Sequence, residues 1–166
     1  MRRISTLSER HTPDHILGVI SDTHGLLRPE AVAALKGSSV IVHAGDIGDP
    51  GILDELGKIA PVIAVRGNTD RGRWARGLPE TEVVEVRGIH VYVLHDVDHL
   101  DLDPPAAGFQ VVISGHSHRP GMESRNGVLF LNPGSAGPRR FTVPVTLARL
   151  SLRDGRVEAE IVTLDV

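Results

Sequence analysis

The sequence predicts an α/β domain whose first half is a parallel βαβαβ unit and whose second half returns in hairpins, as one mixed sheet or two stacked sheets with helices outside. Three observations lead there. Apolar runs beginning at Ile16, Val40 and Val62 alternate with two segments that carry helix punctuation. Later in the chain, Arg87-Gly88 and Asp154-Gly155 separate pairs of alternating strands by two-residue turn signals. Finally, five apolar runs close on residues able to hold a metal ion, and ligand sites in open α/β sheets lie beyond the carboxyl ends of the strands.

The run 16–22 is the first strand. Residues 28–36 follow as a helix, with Pro29 near its start and Gly37 just past its end, because proline's fixed φ suits a first turn and glycine a terminus. After a second strand at 40–46, Asp49-Pro50 opens a helix through Ile52, Leu53, Leu56 and Ile59. Pro61 must stop that helix, since it lacks the amide hydrogen a helix requires. The run 62–68 is the third strand, and 81–86 with 89–94 form the first hairpin. Residues 96–108 are too short and too broken by proline for a long helix. The run 111–116 is a buried strand, and 145–152 with 156–164 close the domain as a hairpin. Segment 1–14 carries Arg2, Arg3 and Arg10 without the apolar core of a secretory signal, so it reads as an extension able to stay disordered, and 15–166 as a single domain.

A chain of 166 residues, 40% hydrophobic and 23% charged, suits one globular core. A formal charge of -3 with no basic stripe argues against general nucleic-acid binding. No apolar stretch approaches the roughly 20 residues that span a bilayer, so no membrane association is expected. Cysteine is absent, which leaves metal binding to oxygen and imidazole ligands and fits a cytoplasmic protein.

The candidate ligands are Asp22, His24, Asp46, Asn68, His95, His116 and His118. Singly, each has an ordinary explanation: an aspartate after a strand caps a helix, and asparagine after glycine makes a turn. His116-Ser-His118 is less ordinary, because neither packing nor turn chemistry asks for paired histidines after a buried strand. Jointly the pattern is specific. Caps and turns give no reason to place these types at five successive strand ends while His11, His15 and His90 lie elsewhere. Asp22 to Asp46 is 24 residues and Asp46 to Asn68 is 22, each near one strand-helix unit, so neighbouring strands present equivalent positions.

The motifs Gly18-Val-Ile-Ser-Asp22-Thr-His24-Gly, His43-Ala-Gly-Asp46, Arg66-Gly-Asn68-Thr-Asp70, His95, Gly115-His116-Ser-His118 and Asn132-Pro-Gly-Ser135 occur in one order over nearly the whole chain. In them the sequence resembles the calcineurin-like metallophosphoesterases, within them the small bacterial and archaeal phosphodiesterase group. The resemblance implies a four-layer α/β/β/α sandwich with two mixed sheets. It implies one divalent ion on Asp22, His24, Asp46 and His118 and a second on Asp46, Asn68, His95 and His116, with Asp46 bridging. Manganese is the first expectation, and iron, cobalt, nickel and zinc suit the same ligands. Two such ions about 3.5 to 4 Å apart share a water and lower its pKa, giving a hydroxide for attack on phosphorus. Catalysis is therefore expected through Asp22, Asp46, Asn68 and His95 by way of the metals.

Two departures from that group stand out. Thr69 and Asp70 follow Asn68 where many superfamily members carry a histidine that protonates the leaving oxygen, so no general acid is evident and diesters or activated esters are the expected substrates. Asp96-Val97 follows His95 where the group commonly has Gly-His, which implies a changed loop beside the second metal. His99 is a candidate replacement but reads better as an exposed loop residue, Arg139 and Arg140 as solvated arginines, His43 as a buried structural residue, and Trp74 as a loop anchor. Asp70 is expected to orient an imidazole or a water. The expected partner is a small phosphate ester, and exposed hairpin edges leave a homodimer open. Two other readings compete: a non-catalytic scaffold like the retromer subunit of this fold, and a phosphomonoesterase or nucleoside polyphosphate hydrolase using the same site.

Overall fold

Apolar runs along the strands decide the architecture, because the central strands of both sheets bury residues on both of their faces. The protein is seen in a computed structural model that describes residues 2–4 and 15–166. One sheet holds β2 (His15–Ile20), β3 (Val40–His43), β4 (Val62–Ala64), β10 (Thr146–Arg153) and β11 (Arg156–Thr163), in the order β11-β10-β2-β3-β4. Strands β2, β3 and β4 run parallel, as the βαβαβ pattern predicts, and β10 and β11 add an antiparallel edge. The other sheet has the order β1-β5-β6-β7-β9-β8, from β1 (Arg2–Ile4), β5 (Thr81–Val86), β6 (Ile89–Leu94), β7 (Val111–Ile113), β8 (Gly121–Arg125) and β9 (Val128–Asn132). Of segment 1–14, only Arg2–Ile4 is described, paired parallel with β5; the expected disorder of the remainder lies outside the described residues.

The sheets pack face to face. Leu17, Val19, Val40, Val42 and Leu150 of the first meet Val84, Val91, Val93, Val111 and Ile113 of the second in one buried cluster. Ile20, Ile41 and Leu147 point the other way, under the helices α1 (Pro29–Leu35) and α2 (Pro50–Gly57). Asp49 caps α2 by accepting from Gly51 N–H at 2.8 Å. On the outer face of the second sheet, Tyr92, Leu94 and Val112 pack under Leu100, Leu102 and Phe109, which flank the four-residue helix α4 (Pro104–Ala107). The expected four layers are present, the last of them thin. Trp74, in the short helix α3 (Arg73–Arg76), anchors its loop against the helical layer as expected.

Both expected hairpins form, and their turns place Arg87-Gly88 and Asp154-Gly155 at positive φ. A third hairpin, β8 to β9 around Asn126-Gly127, carried the same turn signal but lies on an exposed strand with little apolar alternation. No helix among the described residues is long and apolar enough to cross a membrane.

Candidate metal centre

All seven candidate ligands stand on loops that leave the carboxyl ends of parallel strands, three loops from one sheet and two from the other. The loops are laced together by backbone bonds: Asp22 N–H donates to Gly45 O at 3.0 Å, His24 N–H to Asp46 O at 3.0 Å, and Gly115 N–H to His95 O at 2.9 Å. Asn68 lies four residues past the end of β4 at Ala64, and a turn carries its amide to the rim. Asp22, His24, Asp46, His116 and His118 have φ of 55°, 46°, 55°, 71° and 63°, left-handed values that turn each side chain sharply inward. Such backbone costs on the order of 1–3 kcal/mol per residue and persists where surrounding contacts over-determine it.

On the closed side, Asp22 is fully buried and His118 nearly so. Asp22 Oδ2 accepts from Ser21 Oγ at 2.6 Å and from His116 N–H at 3.0 Å, while Ser135 Oγ donates to the Asp22 carbonyl at 2.8 Å. The remaining oxygen, Oδ1, is buried without a hydrogen-bond partner and faces His118 Nε2 at 3.4 Å and His24 Nε2 at 3.7 Å. The two imidazoles stack with centroids 5.1 Å apart and Nε2 atoms 3.1 Å apart.

On the open side, His95 Nε2 lies 3.0 Å from Asn68 Oδ1 and 3.2 Å from Asp46 Oδ2, and His116 Nδ1 lies 3.1 Å from Asn68 Oδ1. His95 Nδ1 sits 2.7 Å from the Ala44 carbonyl, which can only accept, so that nitrogen carries the proton. In the neutral ring Nε2 is then a lone pair facing two acceptor oxygens, an arrangement that asks for a positive charge between them. Burial acts to lower the His95 pKa, but the hydrogen bonds to Asp46 and Ala44 and the charges of Asp22 and Asp46 raise it on balance. Burial likewise works to raise the Asp46 carboxyl, yet His95 and the Thr69 N–H, which donates at 2.9 Å, hold it well below the usual carboxylate range. A cavity of about 750 Å³ opens beside this side, lined by Asn68 and His95 together with Arg66, Glu80, Asp96 and Asp101.

These residues fit divalent ions. The ligand atoms of Asp22, His24 and His118 lie within 4.8 Å of one another, as do those of Asp46, His95 and His116. Ligands held about 2.1 Å from a metal sit roughly 3.0 to 3.4 Å apart along a coordination edge, which the shorter contacts already match. The unpartnered buried oxygen of Asp22 and the lone pair of His95 are what a cation would satisfy. Imidazole, carboxylate and amide without thiolate suit the middle and late first-row divalent metals.

His43 is fully buried and structural: it accepts from Gly45 N–H at Nδ1, 3.2 Å, and meets Thr23 Oγ1 at Nε2, 3.0 Å. Asp70 orients no imidazole, the first of its two expected roles. Its oxygens accept from Gly48 N–H at 3.0 Å and Gly67 N–H at 2.9 Å, so it fastens two loops and contacts no imidazole. His99 is 83% exposed, and the Arg139 side chain reaches away to the Val166 carbonyl at 2.9 Å. Asn132, present in the motif above without an assigned role, donates from Nδ2 to Gly115 O at 2.9 Å and to Ser117 Oγ at 3.2 Å and so shapes the His116-Ser-His118 loop. The sequence reading took Asp96 only as a gap in a motif. The signal was there: a carboxylate directly after a ligand histidine.

Residues 16–155 match the model of the calcineurin-like phosphoesterase superfamily domain. The chain is 36% identical over 159 residues to a probable metallophosphoesterase of Methanothermobacter thermautotrophicus, covering 89% of this chain and 91% of that one. It is 27% identical over 136 residues to a phosphodiesterase of Methanocaldococcus jannaschii, covering 71% and 82%. Its fold is similar to that of zinc-complexed Vps29 from Entamoeba histolytica, with a TM-score of 0.67 over 89% of this chain and 98% of that one at 24% identity.

Proposed function

Because the chain belongs to the calcineurin-like phosphoesterase superfamily, we propose that it is a hydrolase of small phosphodiesters, working with one divalent ion on Asp22, His24, Asp46 and His118 and another on Asp46, Asn68, His95 and His116. The observation that carries this reading is Asp46 Oδ2, which faces His95 Nε2 at 3.2 Å on one side and His24 Nε2 at 3.8 Å on the other. One carboxylate oxygen thus serves both groups. When bound, paired divalent ions supply a lowered pKa to a water and about two net positive charges, after Asp22 and Asp46 are counted, to a phosphate.

The chain's own residues define the substrate class. Asn68 contributes an oxygen without adding charge, which preserves the attraction for an anion. Thr69 is not an acid, and both Asp70 oxygens are engaged by backbone N–H groups, so neither can protonate a leaving oxygen. Rates will therefore favour leaving groups that depart as weak bases. The adjoining cavity provides room for one ester arm. Its carboxylates Glu80, Asp96 and Asp101 outnumber Arg66, which is itself paired with Glu80 at 2.8 Å. A neutral or hydroxyl-bearing arm suits those walls, whereas further phosphates meet like charge. This favours a diester over a nucleoside polyphosphate.

The similarity to Vps29 supports the scaffold reading by fold, and the zinc in that structure makes metal binding a poor discriminator. Turnover discriminates. Protein loaded with manganese and offered bis(p-nitrophenyl) phosphate, p-nitrophenyl phosphate and a nucleoside triphosphate should hydrolyse the diester fastest. Absence of turnover with manganese, iron, cobalt, nickel and zinc, while calorimetry shows ions bound, would transfer the chain to the scaffold class.

A further inference from the structure

We propose that Asp96 is a positioning residue for the open metal site, holding the His116 imidazole in the tautomer that presents Nδ1 as a lone pair toward Asn68 and His95. The inference rests on the two-ion reading above. His116 Nδ1 lies 3.1 Å from Asn68 Oδ1 and 3.3 Å from His95 Nε2, which makes it the atom aimed at the metal position. Its other nitrogen, Nε2, faces Asp96 Oδ2 at 3.6 Å. That separation is about half an ångström longer than a formed hydrogen bond. The ring is 44% exposed, so little packing opposes its approach to the carboxylate.

Asp96 is itself held. Its Oδ1 accepts from Asp98 N–H at 3.0 Å and caps the single 3-10 turn Val97–His99, so Oδ2 is the oxygen turned to the ring. His99 Nε2, 3.9 Å from the same oxygen, is too exposed to compete strongly. The need for such a group is specific to His116. A backbone carbonyl fixes the His95 tautomer, whereas His116 stands on an exposed loop at φ 71° with a carboxylate facing its outer nitrogen. A carboxylate behind a ligand histidine orients the ring, selects the protonated nitrogen and raises the basicity of the other, and its loss typically costs 10–100-fold in metal affinity or activity.

Asp96→Asn tests this with little change of shape. The amide keeps an oxygen for the cap but turns N–H groups toward His116 Nε2, which favours the tautomer with the proton on Nδ1. Calorimetric titration of metal-free protein with zinc should show two ions in the wild type. In the variant the weaker ion should lose about 10–100-fold in affinity, with the tighter ion and the metal-free unfolding temperature unchanged. Asp96→Ser, which retains a capping hydroxyl but cannot reach the ring, should show the same selective loss. Nitrogen-15 shifts of His116 in zinc-loaded wild type should report the proton on Nε2. Wild-type affinity in either variant, or a proton on Nδ1 in the zinc-loaded wild type, overturns the role of Asp96. A wild type that takes up one ion or none overturns the two-ion reading itself, before any variant is compared.

Discussion

The closed and open halves of the metal rim are built to different standards. On the closed side Asp22 and His118 are buried, and hydrogen bonds from Ser21, Ser135 and the His116 backbone hold Asp22. On the open side Asn68 and His116 are exposed, and a cavity begins at their edge. The difference teaches where variation is tolerated. A clamped half can be pre-organised by the core beneath it, while a half made of loops takes its precision from neighbouring side chains. Both departures from the family pattern, Thr69 after Asn68 and Asp96 after His95, fall on the open half. The cavity lies on that half as well.

Asp46 belongs to both halves, so its replacement should erase the comparison altogether. Asp46→Asn removes the shared charge while keeping size, and diester hydrolysis should fall by about 10²–10³-fold or more, as when a main electrostatic stabiliser is lost. Metal uptake measured by calorimetry should weaken for both ions. Intact occupancy and turnover would mean that Asp46 bridges nothing.

Two glycines separate the halves. A Cβ at Gly115 would stand 2.6 Å from Asp22 Oδ2 on the closed side, and one at Gly67 would stand 2.8 Å from Asp46 Cγ, under the carboxylate that borders the open side. Neither glycine has a left-handed φ, so the effect is steric alone. Overpacking of this kind costs about 1–3 kcal/mol. Gly115→Ala should weaken chiefly the closed-side ion, whereas Gly67→Ala, which presses on the shared Asp46, should weaken both ions, each by about ten- to a hundredfold on that scale. Equal losses at both ions in both variants would show that the halves are not separately organised.

How much of this was legible beforehand follows from range. The strands of the first sheet, the 81–94 hairpin, the strand at 111 and the first two helices were readable because alternation, Asp49-Pro50 and the Gly-containing turns act within a few residues; the three-residue β1 and the β8–β9 hairpin, whose first strand is exposed throughout, were not. The convergence of the seven candidate ligands was readable because Asp22, Asp46, Asn68, His95 and His116 each close an apolar run and His24 and His118 follow two positions later. The division into closed and open halves was not, since it depends on which sheet each strand joins and on contacts such as Asp22 with His116 across 94 positions. Asp70 shows the same limit: its type suggested an imidazole partner, and the fold gave it two backbone amides. The turn that carries Asn68 beyond β4 was hidden for the opposite reason, because Val65 stays buried and extends the apolar run past the strand's end.

His43 lies beneath both halves, tying the Thr23 loop to the Gly45 loop, and its influence should appear in stability rather than in metal preference. Burial, with the nearby positive potential of His95, pushes its pKa down to about 3 from 6.5. Below pH 6.5 the unfolded chain binds a proton there that the native chain refuses until about pH 3, so the stability present above 6.5 is lost as pH falls through that window. The slope from this residue approaches about 1.4 kcal/mol per pH unit. Urea unfolding of metal-free protein at pH 7.5 and 5.5 should show wild type losing roughly that much more than His43→Gln. Identical pH dependence would mean that the native chain binds a proton at His43 as readily as the unfolded chain does.

His99 gives the smallest expected effect and the sharpest statement about the open half. The family pattern suggests a second histidine near His95, and His99 is the nearest substitute in sequence. Its side chain, however, is 83% exposed and its Nε2 lies 3.9 Å from Asp96 Oδ2, the oxygen that also faces His116. An exposed pair at that distance contributes between nothing and about 1 kcal/mol. His99→Ala should therefore change diester turnover and the affinity of the weaker ion by less than about twofold, while Asp96→Asn affects that ion strongly. If His99→Ala instead lowers turnover tenfold with metal affinity intact, the missing acid has been found, and the open half supplies a proton as well as a place for the ester arm.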